Sequence, residues 1–532
     1  MEQPLTYLQN LPPSDWLITD NSHQFSAIAK KLYLELTEIL KQRHTPPKII
    51  LAEREPVKFL ASFLAACAAN CPVFLCNPDW GTQEWQKVFE LVQPDIILGI
   101  NFNSHSRLLS ELVLSAAEVA EVNSPLPVGE RTCTEHSRSS RTNTYTSTSL
   151  SVQHSALPTS NSPLPVGERT CTERNRSSRT TTPHSQLPTP NSPQIMIPTG
   201  GSSGNIKFAI HTWQTLTASV QGFTEYFQLT QVNSVCVLPL YHVSGLMQFI
   251  RSFTTGGKLT ILPFKNLETG QIPTIQPADF FLSLVPTQLQ RLLQNPELTQ
   301  WLAQFQTIML GGAPAWQELF DKARFHNIRL APTYGMTETA SQIATLKPDD
   351  FLQGKINSGQ ILPHAQVTIH NSQGEVLPPN QIGNITIQAK SLALGYYPHH
   401  WENQDYLQVD DLGFLDNQGY LNIIGRNSDK IITGGENVYP SEIEAAIRAT
   451  QLVVDVCVIG VPDKHWGQAL TAIYIPQNAH ISHLEITTLL KNQLSKFKIP
   501  KHWICLDDLP RNAQGKVNRQ ALQQIAAEFL HN

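Results

Sequence analysis

Between Ile195 and Trp213 the chain reads IMIPTGGSSGNIKFAIHTW, with three glycines, four hydroxyl residues and a lysine around the end of a short apolar run. Glycine lets backbone N–H groups come close to a ligand, and converging N–H groups form an anion-binding nest. Thr199, Ser202 and Ser203 add hydroxyl donors, and Lys207 adds a mobile positive charge. The combination suits a polyphosphate. A surface turn has the same composition, so the stretch alone leaves both readings open. A second oddity lies in PLYHVSGLMQFIRSF, residues 239–253, where Arg251 interrupts an apolar helical run. A guanidinium there is costly unless paired, so a carboxylate partner is one reading. The other is a stem that packs while its head reaches solvent.

Positioning such residues requires a sizeable scaffold. The chain has 532 residues, of which 41% are hydrophobic, so two or more domains with substantial cores are expected. Residues 24–118 alternate amphipathic helical runs (FSAIAKKLYLELTEILKQ) with short β runs (PKIILAE, PVFLCN, DIILGI). That alternation predicts a parallel sheet with helices packed on it. The texture resumes later through SVCVLPL, KLTILPF, FFLSLVP and TIMLGG. A β-rich stretch follows over 356–425 with turn signals at NSQGE and DNQGY. The last hundred residues read as a small α+β unit. The expected division is residues 1–428 and 429–532.

From 123 to 193 the chain turns to Ser, Thr, Pro and Arg, and NSPLPVGERTCTE occurs twice, at 123–135 and 161–173. So polar a segment cannot bury enough surface to offset chain entropy, which predicts a disordered insert. A net charge of −5 excludes a strongly basic nucleic-acid binder or a polybasic membrane protein. The eight cysteines contain no C-x-x-C pair. The first residues lack a basic head followed by an apolar run, and FLASFLAACAA is too short to span a bilayer. A cytoplasmic protein is expected.

Five further motifs stand in order along the chain: TGGSSGNIK (199–207), YGMTETAS (334–341), DDLGFLDNQGYLNIIGRNSDKI (410–431), GGENVYPSEIE (434–444) and PRNAQGKVNR (510–519). In this order they resemble the adenylate-forming acyl-CoA synthetases, the superfamily of AMP-binding enzymes. The resemblance implies a large N-terminal α/β domain with a β-rich subdomain, followed by a small mobile α+β domain. It implies that Thr199, Gly200, Gly201, Ser202, Ser203, Gly204 and Lys207 surround the outgoing phosphates of ATP. Thr337 then stands at the α-phosphate, with Glu338 behind a Mg²⁺ ion, reached through water. Gly312, Ala313 and Pro314 of GGAP lie against adenine, with Tyr334 and Gly335 nearby. Asp411 and Arg426 hold the ribose hydroxyls. Lys516 bridges carboxylate and α-phosphate in the first transition state. Asp429 is the hinge, whose rotation brings Gly434 and Gly435 forward for coenzyme A. Taken singly, Glu338 could be a solvated or capping carboxylate, Asp411 and Arg426 a surface ion pair, and Lys516 a solvated loop lysine. Gly200, Ile206 and Phe208 depart from the family's usual Ser, Pro and Gly.

His242, Ser244 and Gly245 match the segment that lines the family's acyl pocket. With Arg251 and NPDWGTQEW upstream, the run resembles the branch activating 2-succinylbenzoate, an aromatic dicarboxylate of menaquinone and phylloquinone biosynthesis. One acid is activated and the other must be recognised, a task for a cation. The implied partners are this dicarboxylate, ATP and coenzyme A. Alternatives are a CoA ligase for another aryl or acyl acid, and a catalytically inactive binding protein of the same fold.

Overall fold

The structure is a computed structural model describing residues 2–12, 14–100, 192–200, 206–402, 405–434, 436–491, 493–511 and 516–531. Nearly all of the expected disordered insert lies outside these residues, as do 201–205 and Gly435.

Short runs with every residue buried, such as Ile49–Leu51 and Val73–Leu75, form strands covered on both faces, the signature of a parallel sheet. They join Ile96–Leu98 and Gln194–Gly200 in a parallel array. The antiparallel strands Ile206–Thr212, Gly395–Tyr396 and His399–His400 complete a seven-stranded sheet. A second sheet has eight strands: Leu17–Ile18, Leu259–Ile261, Asn233–Cys236, Phe280–Leu284, Thr307–Leu310, Leu330–Met336, Ser341–Thr345 and Gln360–Ile361. Its first six are parallel and its last two antiparallel.

One apolar core draws on both sheets, through Ile49, Val73 and Ile195 of the first and Cys236 and Leu259 of the second. Helices Phe25–Gln42, Pro56–Ala68 and Val243–Thr255 pack into the same core. The last of these is buried continuously from Gly245 to Phe253, so it has no solvent face onto which Arg251 could turn. Gly256 ends it at φ +72°, a left-handed cap that suits glycine. Cys67, Cys71 and Cys76 are buried, and burial pushes their thiols upward in pKa, as small apolar fillers require.

The β-rich stretch forms a four-stranded antiparallel sheet, Ala365–His370, Gly383–Ala389, Leu407–Leu415 and Leu421–Arg426. Both turn signals fall on positive-φ glycines, Gly374 at +85° and Gly419 at +80°. After Asp429 the chain builds a five-stranded sheet around Val453–Asp463 and Gly467–Pro476 with a core of its own. Helix His483–Leu490 packs there too, and beyond it Leu494 and Phe497 turn onto that core.

Candidate active site

Open α/β sheets bind ligands at the carboxyl ends of their parallel strands. Gly200 ends Gln194–Gly200, GGAP follows Thr307–Leu310, and YGMTE closes Leu330–Met336, so three motifs sit at such ends. Hairpin pairing sets Thr199 opposite Lys207 and Gly200 opposite Ile206. Ladder pairing thus runs through Thr199, Gly200, Ile206 and Lys207 of the expected phosphate segment. Gly201, Ser202, Ser203 and Gly204 lie outside the described residues. Lys207 is exposed, its Nζ 5.3 Å from the centroid of the Tyr396 ring. The Tyr396 hydroxyl donates to Glu338 Oε1 at 2.6 Å. Burial and the Glu338 charge, in that order, hold this phenol well above its ordinary pKa, so it remains a donor.

Glu338 is buried in a tight turn, Thr337–Thr339, which Ala340 and Ser341 leave at φ +51° and +95°. Positive φ at two consecutive non-glycine residues costs free energy and persists only under external support. Four donors from three segments supply it. His211 Nε2 lies 2.8 Å from the Thr337 carbonyl oxygen, and the Ala393 N–H donates to Glu338 O at 2.8 Å. Ser391 Oγ donates to Thr339 O at 2.9 Å, and Ser219 Oγ to Ala340 O at 2.7 Å. A carbonyl only accepts, so Nε2 carries the His211 hydrogen. Burial takes the His211 pKa down to about 4, against the raising effect of that carbonyl, so the ring is neutral.

On the other flank Tyr334 Oη donates to Asp411 Oδ2 at 2.6 Å, and Arg426 Nε to Asp411 Oδ1 at 3.2 Å. Asp411 and Arg426 are cross-strand partners, the first buried and the second half exposed. The carboxylate keeps spare lone pairs for further donors. Gly312, at φ +82°, and Ala313 and Pro314 form an open strip. Gly335 has a structural reason of its own: a Cβ there would stand 2.1 Å from the Ser341 carbonyl oxygen of the paired strand.

Lys516 is exposed as a residue, yet protein crowds its ammonium. That burial lowers its pKa most, Arg426 adds to the lowering, and Glu338 and Asp411 oppose it. His242, before helix Val243–Thr255, senses Lys516 too: burial first and then the lysine's charge take it to about pKa 3. Lys516 therefore stands among the Glu338, Asp411, Arg426 group and His242. Asp429 lies 3.8 Å from Arg519 Nε, and Arg519 Nη2 donates to Glu444 Oε1 at 2.8 Å. Gly434 bends at φ +59° against the Trp466 ring, where a Cβ would meet ring carbon at 3.1 Å. Gly435 lies outside the described residues.

On the acyl side, Ser244 is exposed and Gly245 buried; a Cβ at Gly245 would stand 2.2 Å from Pro239 O. Arg251 is only 4% exposed, which removes the reading of a head in solvent. Its Nη2 donates to Ser341 Oγ at 3.0 Å and Gln342 Oε1 at 2.6 Å, and its Cζ lies 4.4 Å from the Phe223 ring centroid. No carboxylate among the described residues pairs with it. Burial lowers its pKa to about 9, so it keeps its charge at neutral pH. Its two hydrogen-bond partners immediately follow the supported turn, so one piece of chain serves both flanks.

His211, Ser219, Ser391 and Tyr396 are functional candidates that the sequence did not disclose. His211 lies at the end of the Gly/Ser stretch, outside its glycine and serine cluster, and Tyr396 is 58 residues from Glu338. Only the fold brings them together.

The AMP-binding enzyme family matches residues 41–397, and the AMP-binding enzyme C-terminal domain matches residues 442–516. The chain belongs to the AMP-binding enzyme family, the one its five motifs resemble. It is similar to the 2-succinylbenzoate–CoA ligase of Oceanobacillus iheyensis, 36% identical over 290 residues, which are 54% of this chain and 60% of that protein. The ligase of the same name from Bacillus anthracis is 32% identical over 347 residues, 63% of this chain and 70% of the relative. The matched part thus spans less than two thirds of the first relative's length. Among solved structures, o-succinylbenzoate CoA synthetase (MenE) from Bacillus subtilis, in complex with its acyl-adenylate intermediate, gives a TM-score of 0.73 at 23% identity over 98% of both chains. ATP-bound MatB from Rhodopseudomonas palustris gives 0.74 at 20% identity over 99% of both. The fold is the adenylate-forming fold. Among the described residues, no helix is long and apolar enough to cross a membrane.

Proposed function

We propose that the chain is an ATP-dependent acid–thiol ligase that converts 2-succinylbenzoate to its CoA thioester through an acyl-adenylate, on a route to a quinone. The observation that carries this proposal is Arg251: a buried, charged guanidinium without a carboxylate partner among the described residues, on the helix that His242 precedes. A spectator carboxylate supplies the missing charge, and a fatty acid does not. Support also comes from the two relatives, which bear the name of this activity.

In the first step a carboxylate oxygen attacks the α-phosphorus of ATP; the new C–O–P link forms as pyrophosphate leaves. Lys516, placed near the Glu338, Asp411, Arg426 group and His242, spans acid and nucleotide and stabilises the charge that develops between them. Thr199 through Lys207 neutralise the departing phosphates, and Thr337 donates to the α-phosphate. Gly312, Ala313, Pro314 and Tyr334 border the base, and Asp411 and Arg426 bind the sugar. One carboxylate suits a Mg²⁺ ion held mainly by phosphate and water, and Glu338, anchored by Tyr396, provides it. The ion supplies charge neutralisation at the phosphates. In the second step the CoA sulfur attacks the acyl carbon and AMP leaves. Rotation at Asp429 withdraws Lys516 and brings Gly434 and Gly435 forward, so one site serves both steps. We assign the reaction to the cytoplasm, where ATP and coenzyme A are supplied, and the domain division to residue 428.

The test is a panel of acids given to the purified protein with ATP, Mg²⁺ and coenzyme A. 2-Succinylbenzoate should outrun benzoate and octanoate in thioester formation. A faster rate with either simple acid would overturn the substrate assignment, and no competent acid at all would favour an inactive binding protein.

A further inference from the structure

Two hydrogen-bond donors at Arg251 and its partner Gln342 are left over. Arg251 Nε and Gln342 Nε2 are buried with no partner among the described residues. Gln342 Oε1 already accepts from Arg251 and from Ser341 Oγ at 2.6 Å, so the amide's N–H groups have nothing left to meet. A third group belongs with them. Both ring nitrogens of His364 are buried and unpartnered. Its position follows from helix Trp213–Phe227: a Cβ at Gly222 would lie 1.8 Å from His364 Nδ1, so this helix gives up a side chain where the imidazole rests. Glycine inside a helix costs about 1 kcal/mol relative to alanine, so the vacated space has to be useful. The next residue, Phe223, is the one on which the Arg251 guanidinium lies. His364 thus rests on Gly222, and Arg251 on its chain neighbour Phe223. His364 also senses Arg251: burial and then the Arg251 charge lower its pKa to about 4. The neutral ring still carries one N–H, enough for one hydrogen bond to a carboxylate oxygen. An isolated buried imidazole with neither nitrogen paired is expensive, and an anion accepting from it, from Arg251 Nε and from Gln342 Nε2 relieves all three at once.

We propose that His364 is a second specificity residue of the acyl pocket, donating beside Arg251 to the carboxylate of the acid that is not activated. The proposal rests on the dicarboxylate assignment made above. It is tested with His364→Leu and His364→Gln, using 2-succinylbenzoate and 4-oxo-4-phenylbutanoate, which lacks the aromatic carboxylate. His364→Leu should lower kcat/KM for the diacid about 10- to 100-fold and leave the monoacid within about twofold. His364→Gln, which keeps a donor, should recover part of the diacid rate, and the KM for ATP should stay unchanged in both. Equal losses on the two acids, or no loss on the diacid, would overturn the role of His364. A wild-type enzyme that does not prefer the diacid would instead overturn the dicarboxylate assignment, which separates the two failures.

Discussion

The nucleotide flank and the acyl flank of this site are built in opposite ways. Around Tyr334, Asp411, Glu338 and Tyr396 the key polar groups already hold one another: phenol to carboxylate twice, guanidinium to carboxylate once. Around Arg251 polar groups are left over: Arg251 Nε, Gln342 Nε2 and both His364 ring nitrogens have no partner among the described residues. Internal pairing fixes geometry before a ligand arrives, which suits a nucleotide shared by every reaction of the family. Unspent donors impose a cost that only a matching anion removes, which suits selection of one acid over another. Each flank therefore has its own kinetic signature. Damage on the first should lower rate on all acids alike, and damage on the second should change the ratio between acids.

The largest effect should come from Lys516, which belongs to both flanks. Lys516→Ala should cut acyl-adenylate formation about 100- to 1,000-fold, as loss of one positioned donor does elsewhere. Thioester formation from supplied acyl-adenylate should change little, because the role proposed for the lysine lies in the first transition state. Pyrophosphate exchange and single-turnover thioesterification would separate the two, and equal losses would mean a structural lysine.

Removing one support of the Glu338 turn should cost less. His211→Ala leaves the buried Thr337 carbonyl oxygen without its donor. A fall of about tenfold in kcat/KM is expected on the diacid and the monoacid together. If His211→Ala alters the ratio between the acids instead, the turn and the acyl pocket cannot be treated as separate flanks.

A separate signal, in stability rather than in rate, comes from the buried histidines. Burial holds His211, His242 and His364 at pKa values of about 4, 3 and 4. Unfolded histidines bind protons below about pH 6.5. Between that value and about 4 the unfolded chain binds more protons than the folded one, so stability rises with pH and is lost on acidification. Each histidine contributes roughly 1.4 kcal/mol per pH unit within that window. Urea midpoints between pH 7 and 5 should fall accordingly, and His211→Gln should flatten the slope. An unchanged midpoint over that range would mean that these rings are protonated in the fold.

How much of this was legible in the sequence follows from the same division. Motifs with fixed spacing point to the nucleotide flank, because Thr199, Glu338, Asp411 and Lys516 each lie in a local run that constrains its neighbours. Helix Phe25–Gln42 and the turns at Gly374 and Gly419 were readable for a similar reason: their periodicity and φ requirements are local. The supports were not. His211, Ser219 and Ser391 matter only because distant parts of the chain bring them to the carbonyls of Thr337, Ala340 and Thr339, and ordinary serine and histidine give no local signal. Arg251 was conspicuous as a charge in an apolar helix, whereas its partners, Ser341 and Gln342, and its neighbour His364 were invisible until the strands were in register.

The most direct test of the central claim, that unspent donors around Arg251 read a spectator carboxylate, is kcat/KM of wild type and Arg251→Leu on 2-succinylbenzoate and on its benzoate methyl ester. With the diacid, the variant should lose about 30- to 1,000-fold, because removing the guanidinium strands a desolvated charge. With the ester, which leaves no charge to strand, the loss should be within about threefold, and the KM for ATP should not move. Equal losses on diacid and ester would contradict the claim and make Arg251 a packing residue.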